Sequence, residues 1–372
     1  MIDTMGIIVA SNISIPPLTD VRSATALPIA GGYRIIDFVL SNMANAGIQN
    51  VGVATEANYS SLMDHIKSGA PWDLNRKNHG LNILPPNIGK KNGYEVIRGD
   101  LDILAGIKQY IHRSRETYVI LSLGNNIYNM DFKKVLKAHI DNQADITIVY
   151  KDMKTVDQKE LSRYTLLEVD DRHNITDIEV CPYYPKSTCA STDVFVMEKA
   201  LLESIVDECE ARGNHDFIKD AIAKKMSGLR LFGFEHDGYT DKIDSMKSYY
   251  NNNMKFLSEE MQKEMLHSKL PVYTKNRDLP PSRYGDEAVV INSYITDGCI
   301  IEGTVIDSVV SGNVTVKKGA VVKNSILMQG DIIEENVQLE YVVLDKEVKI
   351  TADRKLIGQE NYPLPVAKGI VI

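Results

Sequence analysis

Cysteine is scarce in this sequence, and its spacing excludes two kinds of site. The 372 residues contain four cysteines, none of which forms a C-x-x-C pair, so neither a zinc ribbon nor a redox motif is indicated. Long apolar runs are also lacking, because no stretch reaches the roughly 18 uninterrupted apolar residues that a membrane span needs. The first residues have no basic segment ahead of an apolar run, so no signal peptide is predicted. We therefore expect a cytoplasmic protein without a membrane partner.

Positive charge is in deficit across the chain. The sequence has 42 Lys and Arg against 50 Asp and Glu, which gives a net charge of −8 and a pI of about 5.6. Since proteins bind nucleic acid by neutralising phosphates with Lys and Arg, this balance argues against a nucleic-acid partner. The net charge does not exclude a local basic pocket. Apolar residues make up 44% and charged residues 25%, which excludes a disordered chain. Because single hydrophobic cores stop growing at about 250–300 residues, we expect two domains.

Residues 1–250 alternate short apolar runs with amphipathic stretches. The strand-like runs are residues 6–10, 51–55, 118–123, 146–150, 194–197 and 229–234. The helix-like segments are residues 38–46, 59–67, 101–113, 132–140, 201–210 and 216–225. Short apolar strands separated by helices predict an α/β domain with a Rossmann-like parallel sheet covered on both faces. Ligands of such sheets bind outside the carboxyl ends of the strands, which here means the loops after Ala10, after Leu123 and around Asp241.

The pattern changes twice in the last third of the chain. Three consecutive asparagines at 251–253 and prolines at 271, 280 and 281 interrupt any long period, so we predict a linker over 251–290. Residues 311–327 and 328–344 then form two 17-residue units, each divided six, six and five, and residues 294–310 fit them loosely. Such a repeat is typical of a parallel β-helix over 291–372, whose handedness the period leaves open. An ordinary meander of short strands explains the tandem match less well.

Four segments carry a resemblance to one family. Residues 32–42 read GYRIIDFVLSN, 98–102 read RGDLD, 125–131 read NNIYNMD, and 215–220 read HDFIKD. Together with the repeat, these segments resemble bacterial ADP-glucose pyrophosphorylase (glucose-1-phosphate adenylyltransferase). The resemblance implies a nucleotidyltransferase domain followed by a left-handed hexapeptide β-helix. Its substrate-site positions, which we expect here in vestigial form, fall on Arg22, Arg34, Asp102, His215 and Asp216. For Arg34 a pairing with Asp37 in the scaffold competes with that role, as helix capping does for His215.

The same resemblance implies that parts of the chemistry are missing. Where the family has a Gly-rich phosphate loop, residues 10–18 read ASNISIPPL, without glycine or a basic residue. The lysine expected to meet the pyrophosphate falls at Ala24, and the lysine expected to hold the sugar phosphate falls at Cys181. Of two carboxylates that would hold Mg²⁺, one falls at Asn125 and the other is kept as Asp241. No catalytic set is therefore expected to be intact.

These departures imply a non-catalytic regulatory subunit, closest to the family's GlgD-type chain, in glycogen biosynthesis. We expect a hetero-tetramer with a catalytic subunit that uses Mg²⁺ to convert ATP and glucose 1-phosphate into ADP-glucose and pyrophosphate. This chain itself is expected to need no cofactor, to respond to a small phosphorylated effector, and to form a homo-oligomer as an alternative when alone. Two other hypotheses stay open, a weakly active nucleotidyltransferase with a rearranged site and a sugar-nucleotide binding module. An acyltransferase is disfavoured, because residues 291–372 contain no histidine.

Overall fold

The computed structural model describes residues 3–10, 13–56, 58–85 and 97–372, which fall into two compact units. The first unit comprises Met1–Ser11, Phe38–Tyr59 and Ile66–Asp241, and the second comprises Asn12–Asp37, Ser60–His65 and Lys242–Ile372. Ser11 and Asn12 of the glycine-free first loop lie outside the described residues. The second unit therefore includes two segments from the N-terminal part of the chain as well as its last third.

A nine-stranded sheet forms the centre of the first unit. Its strands are β1 (Thr4–Ala10), β4 (Asn50–Thr55), β5 (Gly80–Leu84), β6 (Tyr118–Leu123), β8 (Ile146–Asp152), β9 (Thr165–Val169), β10 (Ile175–Val180), β11 (Cys189–Glu198) and β12 (Leu231–Glu235). Two short strand pairs are separate from this sheet: β2 (Pro28–Ile29) pairs with β3 (Tyr33–Arg34), and β7 (Asn126–Tyr128) pairs with β13 (Thr240–Lys242). The main order is β10-β9-β11-β6-β1-β4-β5, and β8 joins β11 to β12.

The predicted parallel sheet is confirmed. Strand β1 pairs in parallel with β4 and β6, and all seven of its residues are buried, as expected of a strand covered on both faces. Strand β11 is antiparallel to β6, β8 and β9, so the sheet is mixed on that side. One large apolar core packs around β1, β6, β8 and β11.

Nine α-helices occur in the described residues. They are α1 (Ile35–Ala46), α2 (Ser60–Ile66), α3 (Asp100–Gly106), α4 (Lys108–Arg113), α5 (Phe132–Asp141), α6 (Gln158–Leu161), α7 (Lys199–Arg212), α8 (Met246–Lys255) and α9 (Glu259–Met265). The single helix predicted over 101–113 is divided at Ile107, and the segment predicted as helical at 216–225 is a π-turn followed by a 3₁₀ turn. None of these helices combines the length and the apolar content for crossing a bilayer.

Parallel strands arranged in three sheets form the repeat region, as in a β-helix. Their bounds are β14 (Arg283–Tyr284), β15 (Val289–Ile291), β16 (Tyr294–Ile295), β17 (Ile300–Ile301), β18 (Thr304–Ile306), β19 (Val309–Val310), β20 (Thr315–Val316), β21 (Val321–Lys323), β22 (Ile326–Leu327), β23 (Ile332–Ile333), β24 (Gln338–Glu340), β25 (Val342–Leu344), β26 (Lys349–Ile350), β27 (Lys355–Ile357) and β28 (Leu364–Val366).

The strand register confirms the 17-residue period. Val321 pairs with Gln338, and Gln338 pairs with Lys355, so each step is 17 residues. Tyr294 pairs with Val309, a step of 15 residues, which explains why residues 294–310 fit the repeat only loosely. The inward-facing side chains stack into one continuous apolar core.

Residues 251–290, predicted as a linker, contain regular structure at their start. Helix α8 runs through the three asparagines, and α9 follows it. Asn252 and Asn253 are buried because their side-chain amides donate to the carbonyls of Ser248 and Tyr249, at 2.8 and 3.0 Å. Asparagine within a helix is tolerated here because these hydrogen bonds satisfy the amide, which a sequence-based interpretation of asparagine as a loop residue does not anticipate.

Candidate active site

Two consecutive asparagines follow the carboxyl end of β6, where the sheet type predicts a ligand site. Asn125 and Asn126 are only 3% and 4% exposed. Nδ2 of Asn126 donates to the carbonyl oxygen of Thr192 at 2.7 Å and to Oδ2 of Asp193 at 3.2 Å. Within the described residues, Nδ2 of Asn125 and Oδ1 of Asn126 have no hydrogen-bond partner. The end of β6 therefore carries a buried group of amides with unused hydrogen-bonding capacity.

A β-bulge in β11 brings a carboxylate to these amides. The register of β11 against β8 shifts between Ser191 and Val194, and Asp193 has a positive φ of 56°. A bulge of this kind inserts extra residues and re-aims their side chains. Because β11 runs antiparallel to β6, with Val194 opposite Ser122, the bulge lies at the carboxyl end of β6. Asp193 is thus a buried acid beside Asn126.

Asp241 lies on β13, which pairs with β7, the short strand that begins at Asn126. Its Oδ1 accepts a hydrogen bond from the hydroxyl of Tyr164 at 2.8 Å, and its Oδ2 accepts one from Tyr239 at 3.2 Å. Mg²⁺ prefers carboxylate oxygens in near-ideal octahedral geometry. A carboxylate whose two oxygens each accept a phenol hydrogen bond, accompanied by a neutral amide, does not fit that preference. Within the described part of the chain, no group of three His, Cys, Asp or Glu residues is arranged to hold a metal.

A second polar group joins two distant segments of the first unit. Nδ1 of His215 lies 2.8 Å from Oδ1 of Asp102, and Nε2 of His215 lies 3.3 Å from Nη1 of Arg98. Asp216 accepts a hydrogen bond from the backbone N–H of Lys219 at 2.8 Å and so begins the π-turn. A Cβ on Gly99 would lie 2.2 Å from the carbonyl oxygen of His215, so only glycine permits this approach. The segments RGDLD and HDFIKD therefore meet at one place.

Several cationic side chains lie close together in the second unit. Nη1 of Arg22 forms an ion pair with Oδ1 of Asp345 at 2.7 Å, with both side chains buried. Arg34 donates to the carbonyl oxygen of Ser61 at 2.7 Å. Burial, together with repulsion from Arg277 and Arg22, lowers the pKa of Arg34 to about 10, although Asp37 and Asp64 act in the opposite direction.

Arg277 and Lys346 complete this cationic cluster, which we define as Arg22, Arg34, Arg277 and Lys346. Burial lowers the pKa of Arg277. Burial together with repulsion from Arg34, Arg277 and Arg22 lowers the pKa of Lys346 to about 7, although Asp345 acts in the opposite direction. Four cations held close together in a partly dry environment destabilise one another, which favours an anion as their counter-charge.

Asp37 lies next to Arg34 of the cationic cluster and accepts several hydrogen bonds. Its Oδ2 accepts hydrogen bonds from the backbone N–H of Arg34 at 2.9 Å and from the hydroxyl of Thr274 at 2.6 Å. Nε2 of His65 lies 2.6 Å from its Oδ1, and burial lowers the pKa of His65. Asp37 therefore joins three chain segments of the second unit.

The chain is similar to known proteins over most of its length. The model of the nucleotidyl transferase family matches residues 15–259, and a model of GlmU-like C-terminal hexapeptides matches residues 280–362. The glucose-1-phosphate adenylyltransferase of Bacillus mycoides is 32% identical over 337 residues, which are 90% of this chain and 88% of that protein. The enzyme of the same name from Desulfitobacterium hafniense is 33% identical over 353 residues, 93% of this chain and 87% of that protein. The chain belongs to the glucose-1-phosphate adenylyltransferase family.

Two positions at which the chain departs from the motifs of this family lie in the second unit. In the first loop, the backbone N–H of Ile15 donates to the hydroxyl of Thr19 at 2.7 Å, and the next two residues are prolines without an N–H. Ala24 begins a 3₁₀ turn and is fully buried. Neither position offers a cation, and the described part of the loop offers few free backbone donors for a phosphate.

Cys181, the position of the expected sugar-phosphate lysine, lies just after β10 in the first unit. Its thiol is exposed, contacts the carbonyl oxygen of Arg163 at 3.6 Å, and its φ is 47°. Tyr183 and Tyr184 extend into solvent beside it. This surface is open to a ligand but carries a neutral thiol at the expected position of the charge.

Apart from Cys181, the predicted site residues thus fall into three groups. Asn125 and Asp241 lie on the paired segments around β7 and β13, and Asp102, His215 and Asp216 form the second group in the same unit. Arg22, Arg34 and Ala24 belong to the second unit.

Sequence reasoning missed Asp193 and the two tyrosines that engage Asp241. The polar run at 191–193 within the otherwise apolar β11 is the signal that could have indicated Asp193, because polar residues inside a buried strand mark a bulge or a site.

Proposed function

We propose that this chain is a non-catalytic regulatory subunit of a glucose-1-phosphate adenylyltransferase. The observation that carries the proposal is that a buried amide, Asn125, stands where one metal carboxylate is expected, while both oxygens of the other, Asp241, accept tyrosine hydrogen bonds. A site that transfers a nucleotidyl group needs a strong positive counter-charge at the α-phosphate, usually a metal held by carboxylates. This donor set is poorly suited to provide it.

The remaining departures act in the same direction. Removing one preorganised electrostatic contact costs about 2.7–4 kcal/mol of transition-state stabilisation, or a factor of about 10²–10³ in rate. Neutral residues at Asn125, Ala24 and Cys181 would each remove one such contact. Even with strong non-additivity, their joint effect supports a chain that is nearly inert by itself. We infer that it needs no cofactor and that Mg²⁺ acts in the catalytic partner.

The cationic cluster supports a regulatory role. Its four side chains are mutually repulsive, and two of them have pKa values lowered to about 10 and about 7. A small phosphorylated effector would relieve this repulsion by charge-assisted hydrogen bonds. If the effector prefers one conformation of a hetero-tetramer, the coupling to the partner's activity would amount to about 1–3 kcal/mol.

Mixing the two kinds of subunit tests the proposal. ADP-glucose formation is measured for this chain alone, for a catalytic family member from the same cell alone, and for both together, with and without phosphorylated sugars or inorganic phosphate. We expect almost no activity from this chain alone and a change of about 5- to 150-fold in the partner's rate or effector response on mixing. Unchanged rate and unchanged effector sensitivity in the mixture would contradict the proposal.

A matched pair of variants separates regulation from assembly. Arg277→Gln removes one charge of the cationic cluster, and Lys263→Gln removes an exposed charge on α9 of the same unit. We expect Arg277→Gln to reduce the effector response of the mixture while the rate without effector stays the same. Lys263→Gln should leave both quantities unchanged.

A second candidate function is a weakly active nucleotidyltransferase with a rearranged site. Asp193 favours it, because this buried acid beside Asn126 supplies a carboxylate in addition to Asp241. The candidate requires ADP-glucose formation by the chain alone, abolished by either Asp193→Asn or Asp241→Ala. Calorimetry with ATP, ADP-glucose and glucose 1-phosphate tests the remaining hypothesis of a sugar-nucleotide binding module.

A further inference from the structure

A cavity of about 840 Å³ in the first unit lies beside helix α4 and β5, the last strand in the main order of the large sheet. Asn50, Asn82 and Tyr110 line it from β4, β5 and α4. Strands β1 and β4 separate β5 from β6, whose carboxyl end precedes the substrate-site position Asn125. None of the described residues that line this cavity belongs to the predicted substrate site or to the cationic cluster. Its volume is in the range of about 300–1,000 Å³ that small ligands occupy in proteins.

Three exposed cationic side chains line this cavity without a counter-charge. They are Lys77, Arg113 and Arg115, and none of them forms an ion pair with any other residue that the structure describes. By contrast, the neighbouring cations Arg76 and Lys108 each pair with an aspartate. Since charge-assisted hydrogen bonds from Lys and Arg are the usual means of holding phosphate and carboxylate groups, this side of the cavity favours an anion with more than one negative charge.

The rest of the cavity wall carries neutral polar groups. Oδ1 of Asn50 accepts a hydrogen bond from the hydroxyl of Tyr110 at 2.7 Å, and Nδ2 of Asn50 donates to Oγ of Ser114 at 3.3 Å. These bonds hold the three side chains in place before any ligand arrives. Gln109, also on the wall, has no side-chain hydrogen bond to another described residue. Because an amide offers both donors and an acceptor, this wall is suited to the hydroxyl groups of a ligand.

A smaller hollow of about 200 Å³ adjoins the cavity, since Asn50 and His79 line both. Glu116 lines this hollow and is only 6% exposed. Its Oε1 lies 3.2 Å from Nδ1 of His79, whereas its Oε2 has no hydrogen-bond partner among the described residues. Oγ1 of Thr4, on the same hollow, also lacks a partner within the described part of the chain. Buried polar atoms of this kind favour a ligand group that donates hydrogen bonds, as a hydroxyl does.

We propose that these two hollows together, which we call the β5 pocket, bind a phosphorylated sugar. The phosphate pairs with Lys77, Arg113 and Arg115, and the sugar hydroxyls face the amides and the acceptors of the smaller hollow. Inorganic phosphate uses only the cationic side, and a neutral sugar leaves three positive charges unbalanced. The β5 pocket shares no described residue with the cationic cluster, and the inference does not depend on the regulatory role, because it concerns binding to this chain alone.

Calorimetric titration of the full chain with glucose 6-phosphate, inorganic phosphate and glucose tests the ligand class. We expect glucose 6-phosphate to bind at least about tenfold more tightly than inorganic phosphate, because it forms additional hydrogen bonds, and glucose to give no measurable binding. The double variant Arg113→Gln, Arg115→Gln should weaken glucose 6-phosphate by about tenfold or more. Lys133→Gln, Lys134→Gln is the matched control, since it removes two exposed charges of α5 in the same unit. Equal affinities for the two phosphates, or equal effects of the two double variants, would overturn the proposal.

Hydrogen–deuterium exchange provides an independent arm that locates the ligand. Glucose 6-phosphate should slow amide exchange in peptides that cover residues 77–84 and 106–116 of the wild-type chain, and this protection should be lost in Arg113→Gln, Arg115→Gln. Circular dichroism checks that each variant is folded. Protection confined to peptides that contain the four residues of the cationic cluster would show that the sugar phosphate binds there alone, and it would contradict the β5 pocket while leaving the proposed regulatory role intact.

Discussion

Three residues of this chain are neutral where the family resemblance expects a charge. Asn125 is nearly isosteric with aspartate, so the backbone after β6 need not move to accommodate it. Ala24 is fully buried in a 3₁₀ turn, and Cys181 is an exposed residue whose own φ is positive. Each replacement is compatible with its surroundings in the fold, and each puts a neutral side chain where the resemblance implies a charged one. Single side chains at the positions of a functional site can therefore change while the fold is retained.

Arg22 illustrates how a residue of a substrate motif can contribute to stability. Its ion pair with Asp345 is buried on both sides, with 3% and 0% of the side chains exposed. Breaking such a pair by removing one partner leaves an uncompensated buried charge and costs about 3–5 kcal/mol. We predict that Asp345→Ala lowers the free energy of unfolding of the second unit by about that amount. Urea denaturation followed by tyrosine fluorescence measures it.

The double variant Arg22→Ala, Asp345→Ala is the decisive comparison for this pair. It removes both charges, so its destabilisation should be smaller than the sum of the two single effects. The exposed pair Lys263–Glu259 is the control, and Glu259→Ala should change the free energy of unfolding by less than about 1 kcal/mol. Additive single effects would show that the two buried charges do not interact.

At the scale of elements, the β-helix contains one carboxylate in a column of valines. Asp331 lies 17 residues after Val314 and 17 before Val348, and all three are fully buried. Its Oδ1 accepts the backbone N–H of Val348 at 2.9 Å, and its Oδ2 has no partner among the described residues. Burial raises the pKa of Asp331 well above its usual value, with Asp345 and Glu347 adding to the effect.

We predict that Asp331 makes the β-helix less stable as the pH rises. In the unfolded chain the carboxyl group ionises near pH 3.9, whereas in the folded chain it stays protonated to a higher pH. Between these pKa values the folded state binds more protons, so stability is highest below about 3.9 and is lost as the pH rises through the folded pKa, by up to about 1.4 kcal/mol per pH unit.

Asp331→Asn should flatten that part of the pH dependence and raise stability at pH 7–8. Asp353→Asn, an exposed carboxylate of the same unit, should leave the profile unchanged. Thermal unfolding between pH 4 and 8 measures the difference between the variants. A profile of Asp331→Asn that is parallel to that of the wild type would refute the assignment.

The elements that were predictable from sequence are those with a local period. Strands β1, β4 and β6 are apolar runs buried on both faces, and the paired strands from β20 to β27 repeat every 17 residues, so each of these elements can be recognised from its own sequence pattern. The inclusion of residues 12–37 in the second unit was not predictable, because it depends on tertiary pairs such as Arg22 with Asp345, which are 323 residues apart. Asp193 was missed for a similar reason, since a bulge depends on the partner strand.

At the scale of the whole molecule, the net negative charge contrasts with a local cluster of basic side chains. The chain carries a net charge of −8, yet the cationic cluster assembles four basic side chains in the second unit. Clustering like charges costs stability, so the fold supports it only because other interactions compensate. Asp345 and Asp37 offset part of the repulsion from within the unit.

The protonation of Lys346 provides a test of this cluster that needs no knowledge of the effector. Its pKa is about 7 in the folded chain, whereas lysine in an unfolded chain has a pKa near 10.4. Between these values the unfolded chain binds one more proton, so stability should fall as the pH decreases from about 10 to about 7 and level off below that, with a slope of at most about 1.4 kcal/mol per pH unit.

Lys346→Met should remove that slope, whereas Lys318→Met, an exposed lysine of the same unit, should retain it. Inorganic phosphate at pH 7 should stabilise the wild-type chain more than Lys346→Met, because an anion favours the charged lysine and relieves its repulsion from Arg34 and Arg277. Thermal unfolding of the three chains at pH 7 and pH 9.5, with and without phosphate, measures both effects. Equal pH slopes in the wild type and Lys346→Met would mean that Lys346 is not held neutral, and the physical case for an effector at this cluster would be lost.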